Sequence, residues 1–510
     1  MSEFNIVIVG GGTAGWLSAA FLSRQLPLTL GRQVKVTLVE ASDIPIVGVG
    51  EATIPTLRQT LSACGVDEAD FLRACDATFK HGIEFVQWRK TPAEAPGEAY
   101  FHPFGEPLTV ANHNPARQWS RLGVEERGAF ADLFSVQKEM ALAGRAPKSL
   151  QDRAYDGALP YAYHLDAGCF AEFLKQRFRK RSVEHIIARV EQVSMTEENN
   201  IAELHLDDGR IINGDLFIDC TGFAARLINA DSKNSFNSKT DVLFVDRAVT
   251  ARVPHRGVAD IKGFTRSTAQ ESGWMWDIAL QGRRGVGHVY SSRHVDDETA
   301  RQTLATYLNA DPQSLESRKL DMRIGYHQHQ WRGNCVAVGL SSGFLEPLES
   351  TGIYLIEMAN WALADMIPRF ASGTNAATRY NEIMSNHFEN IVDFLKLHYC
   401  ISQRRDSAFW RDNTDLKSIP DTLIQKLKTW RDNIPSIYDF DRTTQCFSVT
   451  NYQFVLFGMG WPSHVAPDAD KQSEIAAMLA QLAQRRDRLR QFVMRDTVDN
   501  KTIFGALGIS

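Results

Sequence analysis

The sequence predicts a mixed α/β fold, in which a doubly wound parallel sheet is interleaved with a largely helical module. Two β-branched runs predict the sheet: Phe4–Val9, which leads directly into a glycine-rich loop, and Val34–Glu40, which ends in an acidic residue. Apolar residues at helical spacing over 377–400 and 471–492 predict two long helices.

Length and charge restrict the class of protein. The 510 residues suffice for two or three modules around a large core. With 56 basic and 61 acidic residues the net charge is -5, so neither nucleic acid nor an anionic membrane is indicated as a partner. We expect one module over residues 1–370, with inserted segments over about 85–160, and a mostly helical second module over 371–510.

The N-terminal residues and the cysteines indicate a cellular compartment. No basic region precedes the first apolar run, and no stretch approaches the roughly 20 apolar residues that span a membrane. Seven cysteines lie singly, without a C-x-x-C pair, which indicates reduced thiols and argues against a structural zinc site. We therefore expect a cytoplasmic protein with no metal centre.

The loop after the first run has the spacing of a dinucleotide-binding turn. In this motif the first glycine permits a tight turn, and the second lets the backbone approach a pyrophosphate closely. The third lets the helix pack against the strand. The phosphates would bind at the helix N-terminus, and the acid ending the second run would hold a ribose hydroxyl. A purely structural glycine turn is the alternative. The predicted dinucleotide contacts are Gly10, Gly12, Thr13, Ala14, Gly15 and Glu40.

Two later segments are predicted to add strands to the same sheet. Asp215–Gly222 has the pattern of a buried strand ending in a small-residue turn, as in FAD-dependent monooxygenases. Asn334–Gly339 is predicted to be a third strand that brings Gly339 to the edge of the cofactor. Leu340 follows, where such flavoproteins often have aspartate. These segments favour FAD over NAD.

Trp274 and Trp276 stand one residue apart, at a spacing that places both indoles on one face of a strand. The segment Trp274–Ala279 resembles the W-x-W-x-I-P signature of the flavin-dependent tryptophan halogenases, with Ala279 in place of proline, and the resemblance extends over nearly the whole chain. It implies a three-layer FAD-binding module like that of flavoprotein monooxygenases. It also implies that the tryptophans keep substrate away from the flavin, whereas core packing is the ordinary alternative.

The segment Gly48–Pro55 resembles the loop that lies along the flavin ring in that family. Glycines would let the backbone approach a flat ring closely. An ordinary strand-to-helix turn, with Thr53 capping and Pro55 opening the helix, is also consistent with the residues. The resemblance adds Gly48, Gly50, Glu51 and Ala52 to the predicted cofactor contacts.

Residues 70–80 are predicted to be helical, with Lys80 at the i+4 position from Asp76. On the residues alone, a solvated lysine paired with Asp76 is favoured. The A-T-F-K match implies instead that Lys80 is the family's essential catalytic lysine. Its ammonium could donate a hydrogen bond to hypohalous acid, or its amine could form a haloamine; the sequence leaves both routes open.

The E-S-T-G segment is the other strong match. The resemblance implies that Glu349 is the catalytic glutamate and that the backbone amides of Thr351 and Gly352 bind halide. Glu349 would stabilise positive charge on the attacked ring, or take up its proton. On the residues alone, a capped helix start with Glu346 and Glu349 facing solvent is favoured.

Substrate recognition departs from the tryptophan-specific members. His102 and Phe104 match the segment that sandwiches an indole, and Tyr452 is the third predicted substrate contact. Asn451 precedes Tyr452 where the family tends to have a Tyr-Tyr pair, and Met459 falls near the family's amino-group-binding glutamate. A buried zwitterion without partners is costly. We therefore expect an indole or another electron-rich aromatic rather than free tryptophan.

The resemblance implies a halogenase that depends on FADH2 and O2. Bound chloride or bromide would attack a flavin hydroperoxide, and the resulting hypohalous acid would halogenate a small aromatic substrate through Lys80 and Glu349. No second nucleotide loop is visible, so a separate flavin reductase would supply reduced FAD; a homodimer is consistent with the family. A flavin-dependent aromatic hydroxylase is the alternative function, and a non-catalytic flavin-binding protein is a weaker one.

Overall fold

The structure is a computed structural model that describes residues 3–43, 50–109, 115–122, 127–230, 234–255, 261–440, 445–462 and 472–509. The strands are β1 Phe4–Val9, β2 Val34–Glu40, β3 Gly50–Ala52, β4 Thr78–Lys80, β5 Gly82–Val86, β6 Ala99–Pro103, β7 Ala162–Asp166, β8 Glu184–Ile187, β9 Val190–Met195, β10 Ile201–Leu206, β11 Ile211–Ile212, β12 Leu216–Asp219, β13 Phe236–Ser238, β14 Arg247–Pro254, β15 Thr265–Gln270, β16 Gly273–Ala279, β17 Arg283–Tyr290, β18 Ser317–Asp321, β19 Gly325–His327, β20 Trp331–Arg332, β21 Cys335–Ala337 and β22 Gly343–Phe344.

The α-helices of the described residues alternate with these strands and dominate the C-terminal part of the chain. They are α1 Thr13–Leu30, α2 Leu57–Ala63, α3 Glu68–Ala74, α4 Pro115–Ser120, α5 Phe130–Phe134, α6 Gln137–Leu142, α7 Ala167–Phe178, α8 Asp297–Leu308, α9 Thr351–Ala371, α10 Ala377–Cys400, α11 Ala408–Asn413, α12 Asp421–Asp432, α13 Val449–Gly458, α14 Gln472–Asp496 and α15 Asn500–Ala506. The predicted helices over 377–400 and 471–492 are confirmed as α10 and α14. None of the described helices is both long and apolar enough to cross a membrane.

The chain divides into two compact units that are interleaved along the sequence. Unit 1 comprises Met1–Ala77, Leu165–Thr240 and Met322–Glu389, and unit 2 comprises Thr78–His164, Asp241–Asp321 and Asn390–Ser510. The sequence predicts one module over 1–370, with inserted segments over about 85–160, and a second over 371–510. The two compact units exchange the chain several times, and the first exchange falls after Ala77.

Unit 1 is built on a six-stranded sheet with the order β20-β21-β12-β1-β2-β8. All neighbouring strands are parallel except β20 and β21. The central strands β1, β12 and β21 are buried over almost their whole length, as in a parallel sheet that is covered on both faces. The register sets Val9 opposite Val39 and Asp219, and Asp219 opposite Ala337. The carboxyl ends of four strands therefore meet at one edge, which confirms the predicted parallel sheet.

Unit 2 contains a seven-stranded sheet with the order β18-β14-β17-β16-β15-β5-β6. Its pairs are antiparallel except β15 with β5. A separate antiparallel pair sets Thr78 of β4 opposite His164 and Lys80 opposite Ala162, both on β7.

The helix predicted over residues 70–80 is wrong beyond Ala74. Helix α3 ends there, and Asp76 has a left-handed φ of 53° that breaks the helical path. The apolar residues that follow continue as strand β4, in which every residue is buried. A short apolar run is consistent with the period of a helix and with that of a strand, and the turn at Asp76 decides between the two.

Candidate active site

The glycine loop of unit 1 has the geometry that a dinucleotide needs. Gly10 has a φ of 117°, and a Cβ there would overlap the Cys220 carbonyl. A Cβ on Gly15 would overlap the Gly10 carbonyl, so close helix packing requires glycine at this position too. At Gly12, by contrast, no atom of the described residues lies within 4 Å of a Cβ. This open space borders the N-terminus of α1, where phosphate is favoured.

The acid at the end of β2 is held beside this loop. Oε1 of Glu40 accepts from Lys175 Nζ at 2.6 Å and lies 2.8 Å from His185 Nε2. Its other oxygen lies against Gly11, where any Cβ would overlap it. The partners Lys175 and His185 carry no motif, and only their spatial position identifies them as residues that orient Glu40.

Two further loops approach the same edge of the sheet. Asp219 is fully buried, and burial raises its pKa although its carboxylate accepts from Thr221 and from the backbone of Leu227 and Ile228. These bonds fix the turn after β12. Gly339 follows β21 with a φ of 75°, and a Cβ there would approach that of Ala14 to 2.7 Å. The glycines, the open helix end and the acid together fit a dinucleotide such as FAD.

The segment that resembles the flavin-side loop is described only in part. Gly48 lies outside the described residues, whereas Gly50, Glu51 and Ala52 form β3. Burial raises the pKa of Glu51 to about 7, with a smaller contribution from the charge of Asp166. The alternative of a helix capped by Thr53 is wrong in detail, because α2 begins only at Leu57.

The E-S-T-G segment of unit 1 is a strained turn at the start of a long helix. Glu349 and Ser350 have consecutive left-handed φ values of 63° and 62°, which non-glycine residues rarely adopt. Helix α9 begins at Thr351, and the amides of its first turn have no intrahelical acceptor. Apart from its chain neighbours and the backbone of its own helix, no described atom lies within 4 Å of a Cβ on Gly352. The turn therefore offers backbone donors and open space to a small anion.

The acidic residues of this turn are buried. Glu349 is 3% exposed and Glu346 is 1% exposed. The interpretation of both as solvent-facing carboxylates is therefore wrong. Backbone strain at a buried position persists only where the surrounding structure holds it in place, and such positions cluster at functional sites.

Lys80 of unit 2 lies on strand β4 and is 0% exposed. Its Nζ lies 5.2 Å from the centroid of the Phe104 ring, within the range of a cation–π contact. The Phe104 N–H donates to the carbonyl of His81 at 3.1 Å, which fixes the Phe104 backbone relative to the residue after Lys80. The expectation of a solvated helical lysine is wrong, and the structure brings Lys80 and Phe104 together.

A buried histidine neighbours Lys80 in unit 2. Burial and the charge of Lys80 hold the pKa of His164 well below its ordinary value, so the imidazole is neutral. Its Nε2 lies 2.9 Å from Thr265 Oγ1, and its Nδ1 lies 3.4 Å from Thr78 Oγ1. No residue pattern selects His164, because only strand pairing places it beside the lysine.

The two tryptophans share one face of β16, as predicted. The ring centroids of Trp274 and Trp276 are 6.4 Å apart. Trp274 is buried beside Trp88, whereas Trp276 is partly exposed and its six-membered ring lies against Gly287 of β17. The absence of a side chain at Gly287 therefore determines where the Trp276 indole lies.

The other predicted substrate residues of unit 2 lie in a packed aromatic region. Asn451 Nδ2 donates to His102 Nε2 at 2.9 Å, and its Oδ1 accepts from the Ser448 N–H at 2.7 Å. Tyr452 is fully buried, and burial raises its pKa well above the ordinary value. Its ring contacts those of Trp430, Phe394 and Phe440. Substrate contact by His102 and Tyr452 stays a prediction.

The parallel sheet with its open glycine loop defines the class of the protein: a flavoprotein-type, dinucleotide-binding fold. The tryptophan halogenase family model matches residues 5–474. Tryptophan 6-halogenase SttH of Streptomyces toxytricini is 34% identical to this chain over an alignment of 529 residues, gaps included. The alignment covers 99% of this chain and 98% of that one.

Solved structures give the same result. The tryptophan halogenase from Shewanella frigidimarina NCIMB 400 superposes with a TM-score of 0.92 at 36% identity, covering 99% of this chain and 97% of that one. Xcc4156, a flavin-dependent halogenase from Xanthomonas campestris, gives a TM-score of 0.87 at 35% identity, with 99% and 98% covered. The chain belongs to the tryptophan halogenase family and is an enzyme of the flavin-dependent type; the family implies FAD, a halide and O2.

Proposed function

We propose that this enzyme halogenates an indole, or another electron-rich aromatic without a free amino-acid backbone, by electrophilic substitution. Reduced FAD, bound at the glycine loop and supplied by a separate flavin reductase, would generate hypohalous acid from O2 and chloride or bromide. The burial of Lys80 against an aromatic ring is the observation that carries the proposal. A surface lysine could not hold a reactive halogen away from water.

Lys80 holds the electrophilic halogen at a fixed point, either as a hydrogen-bond donor or as a haloamine. Its strand is only three residues long, so the position of Nζ depends on a few anchors. One is the ladder with β7, and another is the backbone bond from Phe104 to His81. Fixed geometry of this kind is the main contribution a side chain can make to a bimolecular step.

Glu349 stabilises positive charge on the attacked ring or accepts its proton, and the amides of Thr351 and Gly352 hold the halide. The support is the burial of Glu349 and the two left-handed residues that present the helix start. A preorganised donor pair in a site of low dielectric acts on an anion more strongly than it would in water.

The preference for a substrate without the amino-acid backbone is supported by where the polar groups near Tyr452 are engaged. The Asn451 side chain bonds His102 and Ser448, and the Gln453 Nε2 donates to the Pro435 carbonyl at 2.9 Å. Met459 is buried and carries no charge. These positions therefore supply no carboxylate for a substrate ammonium, whose burial unpaired would cost several kcal/mol.

The test is a mass-spectrometric assay with FAD, a flavin reductase, NADH and O2, in chloride and separately in bromide. Indole and free tryptophan are offered at equal concentration to the wild type and to Lys80→Met, which keeps the length of the side chain without its charge. We expect a halogen isotope pattern on indole that is lost in Lys80→Met. The matched control is Lys148→Met, which removes another buried lysine beside an aromatic ring of unit 2 and should retain the product.

Different outcomes of this assay would contradict different parts of the proposal. A product heavier by one oxygen and unchanged by Lys80→Met would assign the enzyme to the aromatic hydroxylases. Efficient halogenation of tryptophan but not of indole would overturn the substrate while leaving the halogenase intact. Equal loss in Lys148→Met would show that the first variant reports on folding rather than on chemistry.

A further inference from the structure

A chain of buried side-chain hydrogen bonds lies beside Lys80 in unit 2. Thr78 Oγ1 donates to the Ala279 carbonyl at 2.6 Å and lies 3.4 Å from His164 Nδ1. The Nε2 of the same imidazole lies 2.9 Å from Thr265 Oγ1. Thr78, His164 and Thr265 are all buried, and we call these three residues the lysine-strand network.

The protons in this chain can be assigned from its geometry. A hydroxyl has one proton, and Thr78 gives it to Ala279, so towards His164 Thr78 can only accept. The 3.4 Å contact is therefore a hydrogen bond only if Nδ1 of His164 carries the imidazole proton. A neutral imidazole has only one N–H, so Nε2 accepts, and Thr265 donates to it. The network is thus satisfied by one tautomer of one charge state.

Strand pairing connects the network to the lysine. Thr78 and Lys80 are two residues apart on β4 and share a face, on which His164 stands directly opposite Thr78 and Ala162 opposite Lys80. The imidazole is therefore the diagonal neighbour of the lysine side chain. Through Ala279, the network also joins β4 to β16, the strand that carries Trp274 and Trp276.

We propose that Thr78, His164 and Thr265 act as positioning residues for Lys80, an inference that rests on the proposed function. The network anchors a three-residue strand by a side-chain bond in addition to its ladder. It also keeps the neighbouring imidazole uncharged with both nitrogens occupied. His164 therefore offers Lys80 neither a competing acceptor nor a second positive charge, and Nζ stays beside the Phe104 ring.

Nitrogen NMR of histidine-labelled protein tests the network without turnover. The His164 signals are assigned by their loss in His164→Gln. At pH 7 we expect a neutral imidazole protonated at Nδ1, and a loss of this tautomer preference in Thr78→Val. An imidazolium, or an imidazole protonated at Nε2, would overturn the assignment.

Kinetics test the role of the network. Thr78→Val should lower kcat for aromatic halogenation at least about tenfold with little change in KM, while release of hypohalous acid to a small trapping reagent stays within about twofold. Thr78→Ser, which restores the hydroxyl, should recover most of kcat. A parallel fall of both reactions and of Tm, without rescue by serine, would reduce the network to a structural role.

The two proposals can fail separately. If the wild type halogenates no aromatic, the proposed function fails and the positioning role with it, while the NMR result still decides the tautomer. If the wild type halogenates and Thr78→Val is as active as the wild type, the positioning role alone is wrong.

Discussion

At the scale of single residues, the indole of Trp276 depends on the glycine opposite it. Gly287 pairs with Trp276 across β16 and β17, and a Cβ at Gly287 would overlap the indole. We expect Gly287→Ala to push the indole from its position, at a cost of roughly 1 to 3 kcal/mol. A lower Tm and a changed tryptophan emission spectrum would report this displacement.

The control for this variant is another glycine of unit 2. A Cβ at Gly505 of α15 meets none of the described atoms within 4 Å, so Gly505→Ala should leave Tm equal or slightly higher. An unchanged emission spectrum in Gly287→Ala would contradict the prediction. It would mean that strand β17 can shift to accommodate the methyl group.

Glu357 of unit 1 is a fully buried carboxyl group. It accepts hydrogen bonds from the Thr60 hydroxyl at 2.7 Å and from the Thr56 hydroxyl at 3.3 Å. Burial raises its pKa from 4.5 to about 8, against the effect of these bonds. Between these two values the unfolded chain ionises Glu357 while the folded chain keeps it protonated. The free energy of unfolding therefore falls as the pH rises across this range.

Glu357→Gln removes the titration and keeps an acceptor for Thr60. The variant should gain stability relative to the wild type as the pH rises from 5 to 8. We expect a gain of about 1 to 3 kcal/mol, within the limit of about 1.4 kcal/mol per pH unit. Chemical denaturation of both proteins at the two pH values measures it. A difference that does not change with pH would contradict the raised pKa.

At the scale of secondary-structure elements, the sequence predicted the structure wherever the spacing of apolar residues and the residues at the ends of an element indicated the same structure. The run Phe4–Val9, the glycine loop and the run Val34–Glu40 are a strand, a turn and a strand as expected. Strand β4 was missed because its three residues carry too little pattern. Asp76, which separates it from α3, has a left-handed conformation that aspartate adopts more readily than most residues but only in a minority of cases.

The strained turn before α9 should make two variants of Ser350 differ in stability. Ser350 has a φ of 62°, which strains any residue with a Cβ. Ser350→Ala removes the hydroxyl and keeps the strain, whereas Ser350→Gly removes both. We expect Ser350→Gly to be more stable than Ser350→Ala by about 1 kcal/mol, seen as a higher Tm. Equal stability of the two variants would show that the left-handed turn is not retained in solution.

At the scale of the whole molecule, the boundaries of the two interleaved units could not be predicted, because they depend on pairings between distant segments. Strand β5 pairs with β15, about 180 residues later. The family resemblance predicted catalytic roles for Lys80 and Glu349, whereas periodicity alone favoured solvated side chains at both positions. Burial of both residues, and the histidine beside Lys80, emerged only from the tertiary structure.

The glycine loop links cofactor binding to the stability of the whole protein. FAD that binds only the folded chain should raise Tm, since a ligand at 100 times its Kd adds about 2.7 kcal/mol. Gly12 has an ordinary extended backbone and open space around its Cβ position, so Gly12→Val should fold like the wild type. Its side chain would occupy the space in which a pyrophosphate approaches the helix, so added FAD should no longer raise Tm.

Gly15→Val separates the packing role of the loop from its binding role. Its Cβ would overlap the Gly10 carbonyl, so we expect a lower Tm even without FAD. Differential scanning fluorimetry of both variants, with and without FAD, distinguishes the two roles. If FAD stabilised Gly12→Val as much as the wild type, the dinucleotide could not lie over this loop. The open helix end would then be a structural turn, and the FAD site would have to be sought elsewhere on the chain.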